Sequence, residues 1–178
     1  MWLTKLIYYK LLGWKLAGGF DPEIKKCVVI FYPHTSWHDF YIGAFARKLY
    51  KTQINFVAKQ ELFNWPFGAY FRWMGGTPID RTPGQNKVEA IAKIFDTKNE
   101  FRLALSPEGT RKKVDQWKTG FYYIALAAKV PIVPVSFDFG TKTTTAYPPF
   151  YPTGDLEEDL KVLNTTYATV VGKNPNKM

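Results

Sequence analysis

Both histidines of the protein lie in one short stretch, and an aspartate directly follows the second of them. The stretch runs from Pro33 to Phe40 and contains His34, His38 and Asp39. On one regular helix His34 and Asp39 would stand about 140° apart and could not share a face. With His34 in a turn and Asp39 in the first turn of the next helix, the carboxylate can orient the imidazole and stabilise the imidazolium. No Gly-x-Ser-x-Gly nucleophile motif is present, so this pair is predicted to be a general base for a substrate hydroxyl.

Two other interpretations fit the same stretch. His34 and His38 stand four residues apart, the spacing of a zinc-binding helix, but Thr35 replaces the glutamate of that motif and no third histidine exists. Two histidines at the start of a helix can also be simple capping residues. Both alternatives stay open on this stretch alone, although the missing ligands lead us to expect no metal.

A second polar stretch, Ser106–Arg111, follows the apolar run of a predicted strand. Glu108, Gly109 and Arg111 on one loop suit an anionic ligand. Glycine lets the backbone approach a ligand closely, and the arginine fork matches phosphate oxygens. A loop closed by an internal Glu–Arg pair is the alternative.

A third stretch, Gly75–Arg81, is a predicted turn that delivers Arg81, and Lys59 ends a predicted strand. Together with Arg111 these cations would stand at strand ends near the histidine turn. In α/β proteins ligands bind at the carboxyl ends of strands. The sequence therefore favours a base beside a phosphate clamp.

These motifs require strands and helices that alternate along the chain. The pattern predicts an α/β domain whose central sheet is largely parallel and flanked by helices on both faces. The predicted strands cover Cys27–Tyr32, Gln53–Lys59, Phe101–Leu105 and Ile132–Phe137, with a β-prone stretch over 141–152. Helices are predicted through Leu49, over Asn86–Asp96, over Thr119–Lys129, and from an Asp155 cap to Val171, followed by a frayed tail, 173–178.

The first 20 residues are predicted to be an amphipathic helix ahead of a domain over 21–178. Most of the helix circumference is apolar or aromatic, and Lys5, Lys10 and Lys15 interrupt it. A helix that lies in a membrane interface has this composition, and so does one that packs on the domain with lysines at its edge. No run reaches the roughly 18 apolar residues of a membrane-spanning helix.

Composition and charge limit the kinds of partner that the protein is expected to bind. The net charge is +9 and aromatic residues make up 17%. The basic excess lies in the amino-terminal half, which is therefore expected to face an anionic surface or substrate. The basic residues are too dispersed to favour nucleic acid. Cys27, the single cysteine, lies in an apolar strand and is expected to be buried in a reduced, cytoplasmic protein.

Four blocks in order resemble the glycerolipid acyltransferase family, which includes the 1-acylglycerol-3-phosphate acyltransferases. They are His34–Asp39, Gly75–Arg81, Pro107–Arg111 and Val130–Val135, spread over about residues 27–137. The resemblance implies a glycerol-3-phosphate acyltransferase-like fold. It departs from the family at Pro33, where many members have asparagine, and in lacking a long hydrophobic anchor.

The resemblance also implies roles for individual residues. His34 would be the general base and Asp39 its orienting partner. Gly76 and Pro134 would shape the pocket, Pro134 on the acyl-chain side. The residues expected to bind the acceptor are Lys59, Arg81, Glu108, Gly109, Thr110 and Arg111.

The implied reaction is transfer of a fatty acyl group from acyl-CoA or acyl carrier protein to the hydroxyl of a lysophospholipid such as 1-acylglycerol 3-phosphate. It needs no covalent enzyme intermediate and no bound cofactor, and the protein would associate peripherally with the inner face of the membrane. Two other functions remain open: a hydrolase that uses the same base on water, and a membrane-surface lipid-binding module without catalysis.

Overall fold

A computed structural model describes residues 1–79 and 86–177 of the chain. Most predicted strands and helices are present with small shifts of their bounds. The elements in chain order are α1 (Trp2–Lys5), a π-helical turn (Leu6–Leu11), β1 (Lys15–Gly18), β2 (Lys26–Tyr32), α2 (His38–Leu49), β3 (Phe56–Lys59), a 3₁₀ turn (Gln60–Phe63), α3 (Gly68–Trp73), β4 (Gly76–Ile79), α4 (Lys87–Thr97), β5 (Phe101–Leu105), α5 (Gly120–Ala128), β6 (Ile132–Asp138), β7 (Thr143–Ala146), α6 (Leu156–Thr166) and a second 3₁₀ turn (Pro175–Lys177).

The central sheet has five strands in the order β1-β7-β6-β2-β5. All neighbouring pairs are parallel except β6 and β7, which are antiparallel. Strands β3 and β4 form a separate parallel pair beside β5, to which Asn55 connects them: its N–H donates to the Arg102 carbonyl and its carbonyl accepts from the Ala104 N–H. The prediction of a largely parallel α/β domain is confirmed.

Strand β2 lies between β6 and β5, and its side chains alternate between two hydrophobic cores. Val28 and Ile30 pack in the core that helices α4, α5 and α6 cover. Cys27, buried as predicted, and Val29 face the opposite core, which contains residues of α2 and the amino-terminal helix. Because both faces of the sheet are covered at β2, both sets of its alternating side chains are buried. This explains why the sequence of β2 is an uninterrupted apolar run.

The prediction of a helix over residues 1–20 is wrong beyond Leu11. Gly13, at φ +70°, turns the chain, and Lys15–Gly18 pairs with β7 as a strand of the central sheet. The helical part packs on the domain through Tyr8, which is fully buried and donates to Thr144 Oγ1 at 2.8 Å. Nowhere in residues 1–79 and 86–177 is a helix long and apolar enough to span a bilayer.

The carboxyl-terminal part differs from prediction in one respect. Asp155 caps α6 as predicted, accepting from the Glu158 N–H at 3.1 Å, but the helix ends at Thr166. The chain that follows returns to the sheet, where the Val171 carbonyl accepts from the Phe139 N–H at 2.8 Å. Within the predicted frayed tail, Asn174 is bonded to Thr35, whereas the side chains of Lys173 and Lys177 are exposed.

Candidate active site

The histidine turn links β2 to α2 and lies at the carboxyl end of β2. Helix α2 begins at His38, so Asp39 lies in its first turn and His34 precedes the helix, as predicted. Asp39 is only 2% exposed, and its Oδ2 lies 3.0 Å from His34 Nδ1 and accepts from the Ser36 N–H at 3.0 Å. The second bond fixes the carboxylate, so the imidazole has a rigid partner.

The other ring nitrogen of His34 contacts Arg111. The Nε of Arg111 donates to His34 Nε2 at 3.3 Å. An arginine Nε–H can only donate, so Nε2 must carry the lone pair and Nδ1 the proton that bonds Asp39. This is the tautomer that a general base needs, with its basic nitrogen pointing away from the carboxylate.

Glu108 holds the backbone of the histidine turn. Its side chain is 1% exposed, and Oε2 accepts from the His34 N–H at 2.6 Å and from Ser106 Oγ at 3.4 Å. Burial raises the pKa of Glu108, and the hydrogen bond from His34 offsets part of that rise. Through this carboxylate the loop after β5 is attached to the turn after β2.

A cationic cavity of about 620 Å³ opens on one side of His34. Its floor is the loop after β5, where Gly109 has φ +62° and a Cβ would come within 2.9 Å of the Lys118 Nζ. The described residues that line it include no aspartate or glutamate. They are His34, Ala104, Leu105, Ser106, Gly109, Thr110, Arg111, Lys112 and Lys177.

An apolar cavity of about 380 Å³ opens on the other side of His34 and lies beneath α2. Residues from both ends of that helix line it, from Asp39 and Phe40 to Tyr50, a span of about 16 Å at 1.5 Å per residue. Most of its wall is aliphatic or aromatic, including Phe31 and Phe137. A cavity of this shape suits an extended hydrocarbon chain.

A sequence model of the acyltransferase family matches residues 21–138, which is more than half of the chain. This chain belongs to the acyltransferase family. The 1-acyl-sn-glycerol-3-phosphate acyltransferase of Saccharomyces cerevisiae is 27% identical over 165 residues, covering 84% of this chain and 52% of the yeast protein. The Escherichia coli enzyme of the same name is 35% identical over 88 residues, covering 44% of this chain and 35% of that relative.

A solved structure supports the same fold. The crystal structure of the 1-acyl-sn-glycerophosphate acyltransferase of Thermotoga maritima superposes with a TM-score of 0.60 at 22% identity, covering 89% of this chain and 71% of that one. At this identity the similarity shows the fold alone. The chain spans about half of the yeast relative's length and less of the bacterial one's.

The structure brings together most of the residues that acyltransferase motifs predicted. His34, Asp39, Glu108, Thr110 and Arg111 all lie at the junction of the two cavities or directly behind it. Glu108 was predicted to contact the acceptor, but its carboxylate is buried against the His34 backbone. Its position in the structure is that of a residue that holds the turn in place.

The structure describes the side chain of neither Lys59 nor Arg81. Lys59 ends β3, as predicted, but only its backbone position is described. Arg81 lies outside the described residues. The predicted phosphate clamp therefore consists, among the described side chains, of Arg111 and its neighbours on the cationic cavity.

The two predicted pocket residues stand behind the cavity walls. Gly76 packs against Phe56 and Phe71, where a Cβ would come within 2.9 Å of Phe56 Cζ and 2.8 Å of the Phe71 carbonyl oxygen. Pro134 was expected on the acyl-chain side, but strand alternation points its neighbour Val135 into the apolar cavity instead. Pro134 itself does not line that cavity.

The metal alternative gains no support from the geometry. His38 Nδ1 lies 2.8 Å from Ser36 Oγ, and its ring packs at an angle against the rings of Trp37 and Tyr41. In the part of the chain that the structure describes, no three His, Cys, Asp or Glu side chains are grouped so that they could hold an ion.

Sequence reasoning missed the segment Val170–Lys177, which we call the strap. Asn174 donates through its N–H to Thr35 Oγ1 at 3.1 Å and through Nδ2 to the Thr35 carbonyl at 2.9 Å. The strap thus binds the residue that follows His34. Its polar composition resembles that of a disordered tail, so no local pattern indicated this contact.

Proposed function

We propose that this protein transfers a fatty acyl group from a thioester donor to the hydroxyl of a lysophospholipid such as 1-acylglycerol 3-phosphate. The observation that carries the proposal is that His34, Ala104 and Arg111 line both cavities. A base at the junction of an apolar and a cationic cavity matches a reaction between an acyl chain and a phosphate-bearing alcohol. The yeast and Escherichia coli relatives are 1-acyl-sn-glycerol-3-phosphate acyltransferases, which agrees with this substrate class.

In the proposed mechanism Nε2 of His34 removes the proton from the acceptor hydroxyl while the oxygen attacks the acyl carbonyl carbon. The tetrahedral intermediate then collapses, the carbon–sulfur bond breaks, and the imidazolium returns the proton to the departing thiolate. Asp39 stabilises the imidazolium between these two steps, and Glu108 holds the His34 backbone. The ester and the free thiol are the products, and no covalent enzyme intermediate forms.

Arg111 connects substrate binding to the base in this mechanism. In the absence of substrate its Nε occupies the lone pair that His34 must use. A phosphate in the cationic cavity is a stronger partner for the guanidinium. A charged, bidentate pair of hydrogen bonds is stronger than a single hydrogen bond to a neutral ring nitrogen. Binding of the acceptor would therefore move Arg111 to the phosphate and free Nε2 for the hydroxyl.

The apolar cavity receives the acyl chain, and the donor is acyl-CoA or acyl carrier protein. No step of this mechanism requires a cofactor.

We also propose that the protein works at an anionic membrane, on its cytoplasmic face. Helix α3 and the turn before it carry large exposed aromatic side chains, among them Trp65 at 93% and Trp73 at 78% exposure. The same helix contributes Tyr70 and Phe71 to the apolar cavity. Aromatic side chains at headgroup depth and a net charge of +9 suit an anionic lipid surface.

Product identification tests the proposal. The protein is incubated with mixed lysophospholipids and either acyl-CoA or acyl carrier protein, and the acylated product is identified by mass spectrometry. His34→Ala should abolish transfer with an unchanged melting temperature, while the matched control His38→Ala should keep most of it. Near-normal turnover by folded His34→Ala would refute the mechanism.

The same experiment separates the two alternatives. A hydrolase would release free fatty acid without an alcohol acceptor, at a rate that depends on His34. A lipid-binding module would sediment with anionic vesicles but form no acylated product.

A further inference from the structure

The strap lies directly on the histidine turn. A Cβ at Gly172 would come within 2.9 Å of Thr35 Oγ1 and 3.0 Å of Pro33 Cγ, so the backbone there approaches as closely as glycine allows. Two residues later Asn174 donates two hydrogen bonds to Thr35, from its N–H and from Nδ2. These contacts fix the strap to the two residues that flank His34.

The path of the strap brings one lysine to the reaction site. From Asn174 the chain forms a 3₁₀ turn, in which the Lys177 N–H donates to the Asn174 carbonyl at 3.0 Å. Lys177 then lines the cationic cavity together with His34, Arg111 and Lys112. Lys173, on the same strap, points elsewhere, with its Nζ 5.7 Å from the centre of the Phe139 ring.

The cationic cavity therefore has three basic side chains, and none of the described residues that line it is acidic. Cations grouped around one cavity repel one another and attract an anion of high charge. Lysine adds a compact point charge with three donors, which complements the planar fork of Arg111 in binding phosphate. Gly109 also lines this cavity, and the Lys118 ammonium lies close to it, 2.9 Å from where a Cβ would stand.

We propose that Lys177, held in place by the strap, is a phosphate-binding residue of the reaction site. The inference rests on the proposed acyl transfer for the identity of the substrates, because both the acceptor and the donor carry phosphate. Lys177 lies outside residues 21–138, the part that the acyltransferase family model matches. The phosphate site of this protein is thus completed by a segment that the family motifs do not contain.

Equilibrium binding tests this role without turnover. The full chain and its Lys177→Gln variant are titrated with a water-soluble short-chain lysophosphatidate in the absence of donor, and separately with CoA in the absence of acceptor. Lys173→Gln is the matched control, since it removes the same charge from the same strap. Lys177→Arg is the conservative variant, and thermal melting confirms that each protein is folded.

We expect Lys177→Gln to weaken binding of one phosphate ligand about tenfold, with Lys177→Arg recovering most of the loss and Lys173→Gln showing none. A loss confined to lysophosphatidate identifies the acceptor phosphate as the ligand, and a loss confined to CoA identifies the donor. Unchanged affinity of Lys177→Gln for both ligands would overturn the proposal. If the wild type binds lysophosphatidate through Lys177 but forms no ester, the proposed function fails while the phosphate site stands.

Discussion

The Nε of Arg111 and the Nε2 of His34 lie 3.3 Å apart, with the arginine as donor. One contact thus fixes the tautomer of the imidazole and covers the lone pair on which the proposed chemistry depends. The acceptor must supply both a hydroxyl for His34 and a phosphate for Arg111. A lipid alcohol without phosphate would offer the Arg111 guanidinium no stronger hydrogen-bond partner than the His34 imidazole.

Arg111→Gln should raise the KM for a phosphorylated acceptor about 10- to 100-fold, which corresponds to the roughly 1.5–3 kcal/mol of a hydrogen bond to a charged group. The KM for an unphosphorylated monoacylglycerol should change little. Steady-state kinetics with both acceptors measure the difference, and exposed Lys113 provides the control variant, Lys113→Gln. Equal effects on the two acceptors would contradict a phosphate contact.

Asp39→Asn should lower kcat by roughly 10²- to 10⁴-fold while the acceptor KM changes little. The amide can donate to Nδ1, which favours the tautomer whose proton lies on Nε2, and it cannot stabilise the imidazolium. Asp96→Asn, an exposed position on α4, is the control. A kcat of Asp39→Asn close to that of the wild type would exclude the orienting role.

Glu108 predicts a pH dependence of stability. Because burial raises its folded pKa above the ordinary value of 4.5, its contribution to stability is fully present below that value and is lost as the pH rises through the folded pKa. Glu108→Gln remains neutral and lacks this loss. The melting temperature of the wild type relative to Glu108→Gln should therefore fall as the pH rises above about 4.5, and a relative gain over the same range would show the opposite shift.

Gly172→Ala tests how tightly the strap is attached. The added methyl group meets Thr35 and Pro33 at 2.9–3.0 Å, so the variant should lose about 1–3 kcal/mol of stability and weaken the phosphate binding assigned to Lys177. Gly19→Ala is the control, because nothing lies within 4 Å of a Cβ there. If Gly172→Ala matches the control in melting temperature and in lysophosphatidate affinity, the strap does not position Lys177.

The exposed aromatic residues of the α3 region predict the membrane contact. Trp65→Ser combined with Trp73→Ser should reduce sedimentation with anionic vesicles several-fold, since each change removes a large apolar side chain from the interface. Tyr151→Ser removes an aromatic residue that is also exposed, on the loop before α6, and should have no effect. Vesicle binding that survives the double substitution would place the membrane contact on another surface.

The sequence was sufficient to predict that Asp39 reaches the His34 imidazole. Helix geometry alone separated His34 from Asp39, and the structure begins α2 between them. The sheet followed from the alternation of apolar strands and amphipathic helices. In both cases the deciding interactions are local or depend on hydrophobic periodicity, which a sequence displays directly.

The errors concern contacts between distant parts of the chain. Glu108 binds a backbone N–H 74 residues away, and Asn174 binds Thr35 139 residues away. Residues 15–18 leave the predicted helix because β7 offers them backbone partners, which no local propensity encodes. Pro134 was expected to face the acyl chain, but its neighbour Val135 does so instead. A motif does not specify which side chains of a strand point to which face of the sheet.

Thr144 joins two regions that the sequence keeps far apart. It lines the apolar cavity and accepts a hydrogen bond from Tyr8 of the amino-terminal helix. Both residues lie outside the span that the family model matches, whereas His34 and Arg111 lie inside it. The wall of the apolar cavity therefore combines residues from inside and outside the matched span, and the contact with Tyr8 ties the amino-terminal helix to that wall.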